Sequence, residues 1–169
     1  MRRFVAALAA SMLLTDAAEA AAASTGAPQL RFVFEERVDL GPSEPAGEGP
    51  HGTGNRIALL GGTVSGPALS GAVVPGGADW QLIRKDGCTE IVADYFIRTH
   101  DEALIHVRNL GLACAADGQR IAYARANPVF TAPLGNHEWL NKSVFTSTIE
   151  PVVLGGQLRQ VIVRFYEVL

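Results

Sequence analysis

Residues that could carry out chemistry are concentrated in the middle of the chain, on two segments predicted to form a β-hairpin. Residues 91–98 and 103–111 have the composition of strands, with a short polar turn between them. Facing residues in an antiparallel hairpin have a constant sum of positions, which places Asp94 opposite Arg108, with His106 on the same face. A carboxylate, a guanidinium and an imidazole together could move a proton and stabilise negative charge. This face is therefore one candidate for a catalytic or binding site.

The two faces of the predicted hairpin differ in polarity. The polar face carries Glu90, Asp94, Arg98, His106 and Arg108. The other face must point to a core, and it carries Ile91, Ala93, Tyr95, Ile97, Ile105 and Val107. The polar face either lines the lumen of a barrel, where it could bind or transform a ligand, or forms a solvated outer surface. On an outer surface its ion pair would contribute well under about 1 kcal/mol.

Asp79 and Trp80 form a second candidate site, directly after a Pro-Gly-Gly bend. A carboxylate beside a large aromatic ring can hold a ligand by hydrogen bonding and stacking. Alternatively, Asp79 caps the turn and Trp80 fills the core. The same two alternatives apply to Trp139 and Asn141. The predicted catalytic residues are Asp79, Asp94 and Arg108, and the predicted ligand-binding residues are Trp80, Tyr95, His106, Trp139 and Asn141.

Motifs for metal, nucleotide or serine-nucleophile chemistry are missing from the sequence. There is no G-x-S-x-G elbow, Walker loop or dinucleotide fingerprint. His137 and Glu138 begin like a zinc-protease motif, but Asn141 occupies the place of its second histidine. We therefore predict no metal site and no cofactor.

The first twenty residues predict export. Arg2 and Arg3 precede an apolar run over residues 4–14, and Ala18-Glu19-Ala20 has the small-x-small form of a cleavage site. The run is shorter than the about 20 apolar residues of a membrane-spanning helix. We expect a signal peptide over 1–20 cleaved after Ala20, a flexible tether over 21–29, and one domain over 30–169. The mature protein would be periplasmic or secreted, without membrane contact.

Cys88 and Cys114 fit this compartment, since exported domains meet an oxidising environment. In the hairpin register given above, the two cysteines face each other at the open end of the hairpin, where a disulfide can form. A one-residue shift in register would separate them and leave two free thiols. The sequence thus predicts a disulfide that depends on this register.

Composition argues against nucleic acid as a partner. The chain has 14 Lys and Arg against 17 Asp and Glu, a net charge of −3, and no block of basic residues. Nucleic-acid-binding proteins need such a basic surface to neutralise phosphates. A small molecule is the partner that we expect.

Glycine and proline divide most of the chain into short apolar segments, which is typical of an all-β domain. Residues 41–54 are so rich in glycine and proline that they predict a long mobile loop or a disordered segment. Residues 115–126 predict a helical turn or a ragged strand. The prediction is a closed antiparallel β-barrel of about 8–10 short strands with little helix, and a sandwich is the alternative. The glycine-marked bends favour the barrel. The predicted strands cover residues 30–38, 56–60, 63–65, 68–74, 80–84, 91–98, 103–111, 129–132, 143–149 and 158–168.

Several of these segments together resemble the family catalogued as domain of unknown function 3237. The shared marks lie at residues 61–67, 71–80, 86–87, 107–111, 128–133 and 139–141. The resemblance spans about residue 30 to the C-terminus. It implies a closed β-barrel and is compatible with a homo-oligomer. It implies little about activity.

Two positions depart from the pattern of that family. Where the family often has an arginine before the hairpin tyrosine, this chain has Asp94 before Tyr95. Where the hairpin tip is often Asp-Gly, this chain has Asp101 and Glu102. If the family arginine lines a site, its role has passed to Arg108 or this protein handles a different ligand.

Three functions remain open from the sequence. The first is an exported barrel that binds a small apolar or aromatic metabolite. The second is a cofactor-independent enzyme, such as an isomerase, cyclase or lyase, that uses a carboxylate and an arginine of the lumen. The third is a structural or interaction module. The sequence does not separate a site that binds from a site that reacts.

Overall fold

The computed structural model describes residues 26–115 and 121–169 as one closed barrel of eight antiparallel strands. Each strand pairs with the next along the chain, and β8 returns to pair with β1. The predicted barrel is confirmed, while the predicted signal peptide lies outside the described residues. The elements are β1 (Leu30–Gly49), β2 (Gly52–Ser65), β3 (Gly71–Arg84), β4 (Cys88–Thr99), β5 (Leu104–Ala115), β6 (Ile121–Thr131), a 3₁₀ turn (Glu138–Asn141), β7 (Val144–Leu154) and β8 (Gln157–Val168).

The prediction of a long loop over residues 41–54 was wrong. β1 and β2 continue through this region and meet at a tight connection where Gly49 pairs with Gly52. Three shifts in register between the two strands take up residues that do not pair. Such β-bulges let a strand accommodate extra residues, which is why a segment rich in glycine and proline can remain in the sheet.

Two of the glycine-marked bends, at residues 61–62 and 75–77, lie inside strands rather than between them. The register of β2 and β3 shifts between Ala58 and Gly62, and that of β3 and β4 shifts between Val74 and Ala78. At Gly62, φ is 150°, and a Cβ would lie 2.2 Å from the carbonyl oxygen of Arg37. Only glycine fits there. Because bends of this kind do not end the pairing between strands, the short segments predicted from the sequence join into strands of 11 to 20 residues.

The two ends of the barrel are filled differently. At the closed end, Phe34 stacks on Phe165 with 4.5 Å between ring centroids, and Phe130 meets Phe145 edge to face at 5.0 Å. The 3₁₀ turn adds the buried Leu140 to this cluster. At the open end, where β4 begins and β5 ends, the side chains leave a cavity. The lumen is therefore open at one end and filled at the other by these phenylalanine side chains, which we call the aromatic base of the barrel.

No helix among residues 26–115 and 121–169 is both long enough and apolar enough to cross a membrane.

The predicted hairpin register and disulfide are confirmed. Cys88 pairs with Cys114, and the bond between them joins β4 to β5 at the open end.

We expect replacement of both cysteines by serine to lower the free energy of unfolding by about 3 kcal/mol, because the bridge closes a loop of 26 residues in the unfolded chain. Urea denaturation measures this loss. Reduction of the natural protein should reproduce it, and equal stability of the oxidised and reduced forms would contradict it.

Candidate ligand-binding site

The cavity at the open end has a volume of about 250 Å³, and all eight strands contribute to its wall. Most of the wall is apolar, because every second residue along each strand points inward and most of these residues are aliphatic. The few polar groups come from β3, β4 and β5. The aliphatic part of the wall includes Leu40, Leu59, Ile91, Ile149, Leu158 and Val163.

Asp79 is the carboxylate of this cavity. Its Oδ2 accepts a hydrogen bond of 2.9 Å from Gln81 Nε2, whereas its Oδ1 is buried without a partner among the described residues. Burial raises the pKa of Asp79, and the hydrogen bond from Gln81 opposes that rise. Because Asp79 lines the cavity, its unpartnered oxygen is a candidate acceptor or base for a bound molecule that reaches it.

A chain of side-chain hydrogen bonds holds Asp79 in place. Ser43 Oγ donates to Asn55 Oδ1 at 2.7 Å, and Asn55 Nδ2 donates to Gln81 Oε1 at 2.9 Å. Gln81 in turn donates to Asp79. Every donor in this chain points toward the carboxylate, an arrangement that favours its ionised form and fixes its orientation. These hydrogen bonds thus hold the carboxylate of Asp79 in one orientation on β3.

A second carboxyl group lies below the floor of the cavity, behind Tyr95. Glu36 is fully buried, and its Oε2 accepts a hydrogen bond of 2.5 Å from the hydroxyl of Tyr95. Burial raises the pKa of Glu36 from 4.5 to about 8, although the hydrogen bond from Tyr95 lowers it. The pKa of Tyr95 is raised well above 10 by burial and by the nearby charges of Glu36 and Asp79. Glu36 is therefore mainly a neutral carboxylic acid at pH 7.

Asn109 supplies a further polar group in the same layer as Asp79. Ala93 pairs with Asp79 on one side and with Asn109 on the other, so the three residues form one row across β3, β4 and β5. The contacts between Asn109 and Ser147 are long, at 3.4 and 3.5 Å. These hydrogen bonds lie at the long limit of the range and are weak, so a molecule in the cavity can compete with Ser147 for the amide of Asn109.

The polar face of the hairpin lies on the outside of the barrel. Asp94 and Arg108 face each other in the register, but Asp94 Oδ1 lies 2.8 Å from His106 Nε2, so its partner is the imidazole. The ring of His106 also packs on Phe96. Arg108 is exposed. Because strand residues alternate between faces, the inward position of Tyr95 forces its polar neighbours outward.

The structure separates the other predicted site residues as well. Trp80 is on the outer surface, where the guanidinium of Arg56 lies 5.6 Å from its ring centre. Trp139 packs against Phe145 at the closed end. Asn141 bonds the backbone of Ala132 through both its amide oxygen and its amide nitrogen. Of the eight predicted residues, only Asp79 and Tyr95 meet in the cavity.

Sequence reasoning missed Glu36, Gln81 and Asn109. A signal for Glu36 existed, since it interrupts the apolar alternation of Phe34 and Val38 on one face of β1. Gln81 lies two residues after Asp79 and therefore shares its face. Asn109 carried the same signal as Glu36, since it follows Ile105 and Val107 on the inward face of β5.

Within residues 26–115 and 121–169, no group of three His, Cys, Asp or Glu residues is arranged to hold a metal ion.

Comparison with known proteins gives a consistent match over the barrel. The family model described as "Protein of unknown function (DUF3237)" matches residues 28–168. A UPF0311 protein of Rhodopseudomonas palustris strain TIE-1 is 33% identical over 129 residues, which are 69% of this chain and 84% of the relative. The UPF0311 protein CA_C3321 of Clostridium acetobutylicum is 30% identical over 125 residues, 66% of this chain and 75% of the relative.

Solved structures share the barrel. The crystal structure of protein RPA1785 from Rhodopseudomonas palustris superposes with a TM-score of 0.76 at 30% identity, covering 86% of this chain and 100% of that one. The crystal structure of an enzyme from Penicillium herquei superposes with a TM-score of 0.65 at 24% identity, covering 84% of this chain and 95% of that one. At the latter identity the likeness concerns the fold alone.

Proposed function

This chain belongs to the DUF3237 family, and we propose that it is an exported barrel that binds a small, mainly apolar or aromatic metabolite in its lumen. The observation that carries the proposal is the apolar cavity at the open end, with a few polar groups that converge on it. Export is supported by the disulfide, which fits an oxidising compartment.

The size of the cavity limits the ligand. Its volume of about 250 Å³ exceeds the ~150 Å³ of an engineered apolar cavity that binds benzene. It lies just below the ~300–1,000 Å³ of typical ligand pockets. A ligand with one or two rings, or an aliphatic chain of similar volume, fits these limits.

Native mass spectrometry of the protein purified from its own host tests the proposal. We expect a discrete small molecule that is released on denaturation. Ala113→Phe, which places a ring in the cavity, should remove this molecule. Ala72→Phe, which adds the same ring on the exposed face of β3, should retain it. An empty natural protein, or equal loading of both variants, would contradict the proposal.

A cofactor-independent enzyme is the second candidate, favoured by the free buried oxygen of Asp79. Asp79 would act as the base, and the amide of Asn109 would stabilise developing negative charge, since Arg108 lies outside the barrel. The likeness to an enzyme of Penicillium herquei supports a barrel that can accommodate catalysis.

Conversion of the released molecule by the purified protein would separate the two candidates. For an enzyme, we expect Asp79→Asn to abolish turnover while Asp94→Asn, on the outer face, retains it. Normal turnover by Asp79→Asn would exclude this mechanism. A homo-oligomer stays a prediction, which the same native spectra would test.

A further inference from the structure

The charges around the cavity are unbalanced. Among the cavity-lining residues of the described ranges, Asp79 is the one carboxylate, and there is no Lys, Arg or His. The next acidic group is Glu36 below the floor, which Tyr95 separates from the cavity. An anionic ligand would meet like charge without a counterion, so this lumen disfavours carboxylates and phosphates.

Asp79 itself needs a donor. A buried acceptor without a partner costs roughly 1–3 kcal/mol, and more when it is charged. The donor chain through Gln81 and Asn55 satisfies Oδ2 and leaves Oδ1 buried without a partner, on a residue that lines the cavity. A ligand that donates to Oδ1 removes this cost. A cationic donor does so most strongly, because it adds the Coulomb attraction between opposite charges to the hydrogen bond.

The row across β3, β4 and β5 provides the place for such a donor. Ala93 lies between Asp79 and Asn109, and its methyl group leaves space above it. Strands are ~4.8 Å apart, so the two polar residues are about 10 Å apart at their backbones, and their side chains can converge on one ligand group. The amide oxygen of Asn109 supplies a second acceptor.

We propose that the lumen selects a hydrophobic primary amine, with its ammonium group above Ala93 between Asp79 Oδ1 and the amide oxygen of Asn109. Its apolar body lies against the aliphatic wall. Quaternary ammonium groups are typically held by a cage of several aromatic rings. Tyr95 is the one aromatic residue among the described residues of that wall, so the lumen does not provide such a cage. This inference rests on the proposed binding function and names the ligand class.

Three probes of nearly equal shape test the selectivity at pH 7: benzylamine, benzyl alcohol and benzoate. Calorimetry should show benzylamine binding about tenfold tighter than benzyl alcohol, and benzoate binding weakest. Asp79→Asn should remove the preference for the amine and change the affinity for the alcohol by less than about threefold. Asp39→Asn makes the same chemical change on the exposed face of β1 and should leave all three affinities unchanged.

The outcomes separate the inference from the function on which it rests. Benzyl alcohol or benzoate binding as tightly as benzylamine to the natural protein would overturn the amine selectivity and leave lumen binding intact. A preference for the amine that survives Asp79→Asn would also overturn it. Binding of none of the three would overturn the amine proposal, and native mass spectrometry would then decide whether the lumen binds any small molecule.

Discussion

Raising the pH from about 4.5 to 8 is expected to destabilise the barrel by roughly 4 kcal/mol through Glu36 alone. Burial raises the pKa of this carboxyl group from 4.5 to about 8, so the folded protein keeps a proton that the unfolded chain releases. Each unit of difference between the folded and unfolded pKa corresponds to about 1.4 kcal/mol. The cost arises because ionised Glu36 would be a buried charge whose Oε1 has no partner among the described residues.

The direction of this effect follows from proton binding. Between pH 4.5 and about 8, folded Glu36 is protonated and unfolded Glu36 is ionised, so the free energy of unfolding falls as the pH rises. Below pH 4.5 both states hold the proton, and the contribution of Glu36 is fully present. The raised pKa of Asp79 acts in the same direction. The lowered pKa values of Asp86, Asp101, Glu138 and Glu167 act at acid pH, where protonation destabilises the fold.

Glu36→Gln isolates the contribution of Glu36, because glutamine keeps an acceptor for the hydroxyl of Tyr95 but does not titrate. Urea denaturation of both proteins from pH 4.5 to 8.5 gives the comparison. We expect similar stability near pH 4.5 and an advantage of about 4 kcal/mol for Glu36→Gln above pH 8. Parallel pH profiles of the two proteins would show that Glu36 does not carry the dependence.

Phe165→Ala is expected to lower the free energy of unfolding by about 3–5 kcal/mol, since it opens a void in the aromatic base of the barrel. Phe165 is 0% exposed and packs against both Phe34 and Phe130. Chemical denaturation at constant pH measures the loss. Phe165→Leu, which retains most of the volume, should recover a large part of it.

Phe32→Ala is the matched control for this prediction. Phe32 lies on the outer face of β1, is 39% exposed, and meets Tyr166 edge to face. Its removal should cost about 1 kcal/mol or less, because little buried surface is lost. Equal losses from Phe165→Ala and Phe32→Ala would mean that the aromatic base does not hold the closed end together.

The hairpin shows how far local pattern reaches. Alternation of polar and apolar residues, with a short turn, was enough to predict the pairing of Cys88 with Cys114 and of Asp94 with Arg108. Side-chain direction has a period of two, so a correct register fixes which residues share a face. It does not say whether the polar face encloses a lumen or meets solvent. Closure of the sheet decided that the polar face is outside.

The candidate site shows where local pattern fails. Asp79 was predicted as a site residue, but so was Trp80, which the strand directs to the opposite face. The sequence predicted a turn at residues 75–77, whereas β3 continues through them. The inward and outward alternation of the residues before this turn could therefore not be used to predict which way Asp79 points. A bulge within the strand, rather than a turn, accounts for the difference.

By itself, the sequence determined the all-β class, the register of the central hairpin and the disulfide, because these follow from alternation and turns over short stretches of chain. It favoured a barrel over a sandwich, and the pairing of β8 with β1 decided for the barrel. Only the tertiary structure decided which polar groups lie inside. Glu36 meets Tyr95 across 59 residues, and Asp79 is oriented by Gln81 of its own strand, which Asn55 of β2 holds in turn. Burial and proton affinity depend on such neighbours, and the buried environment of Glu36 and Tyr95 forms only when β8 closes on β1.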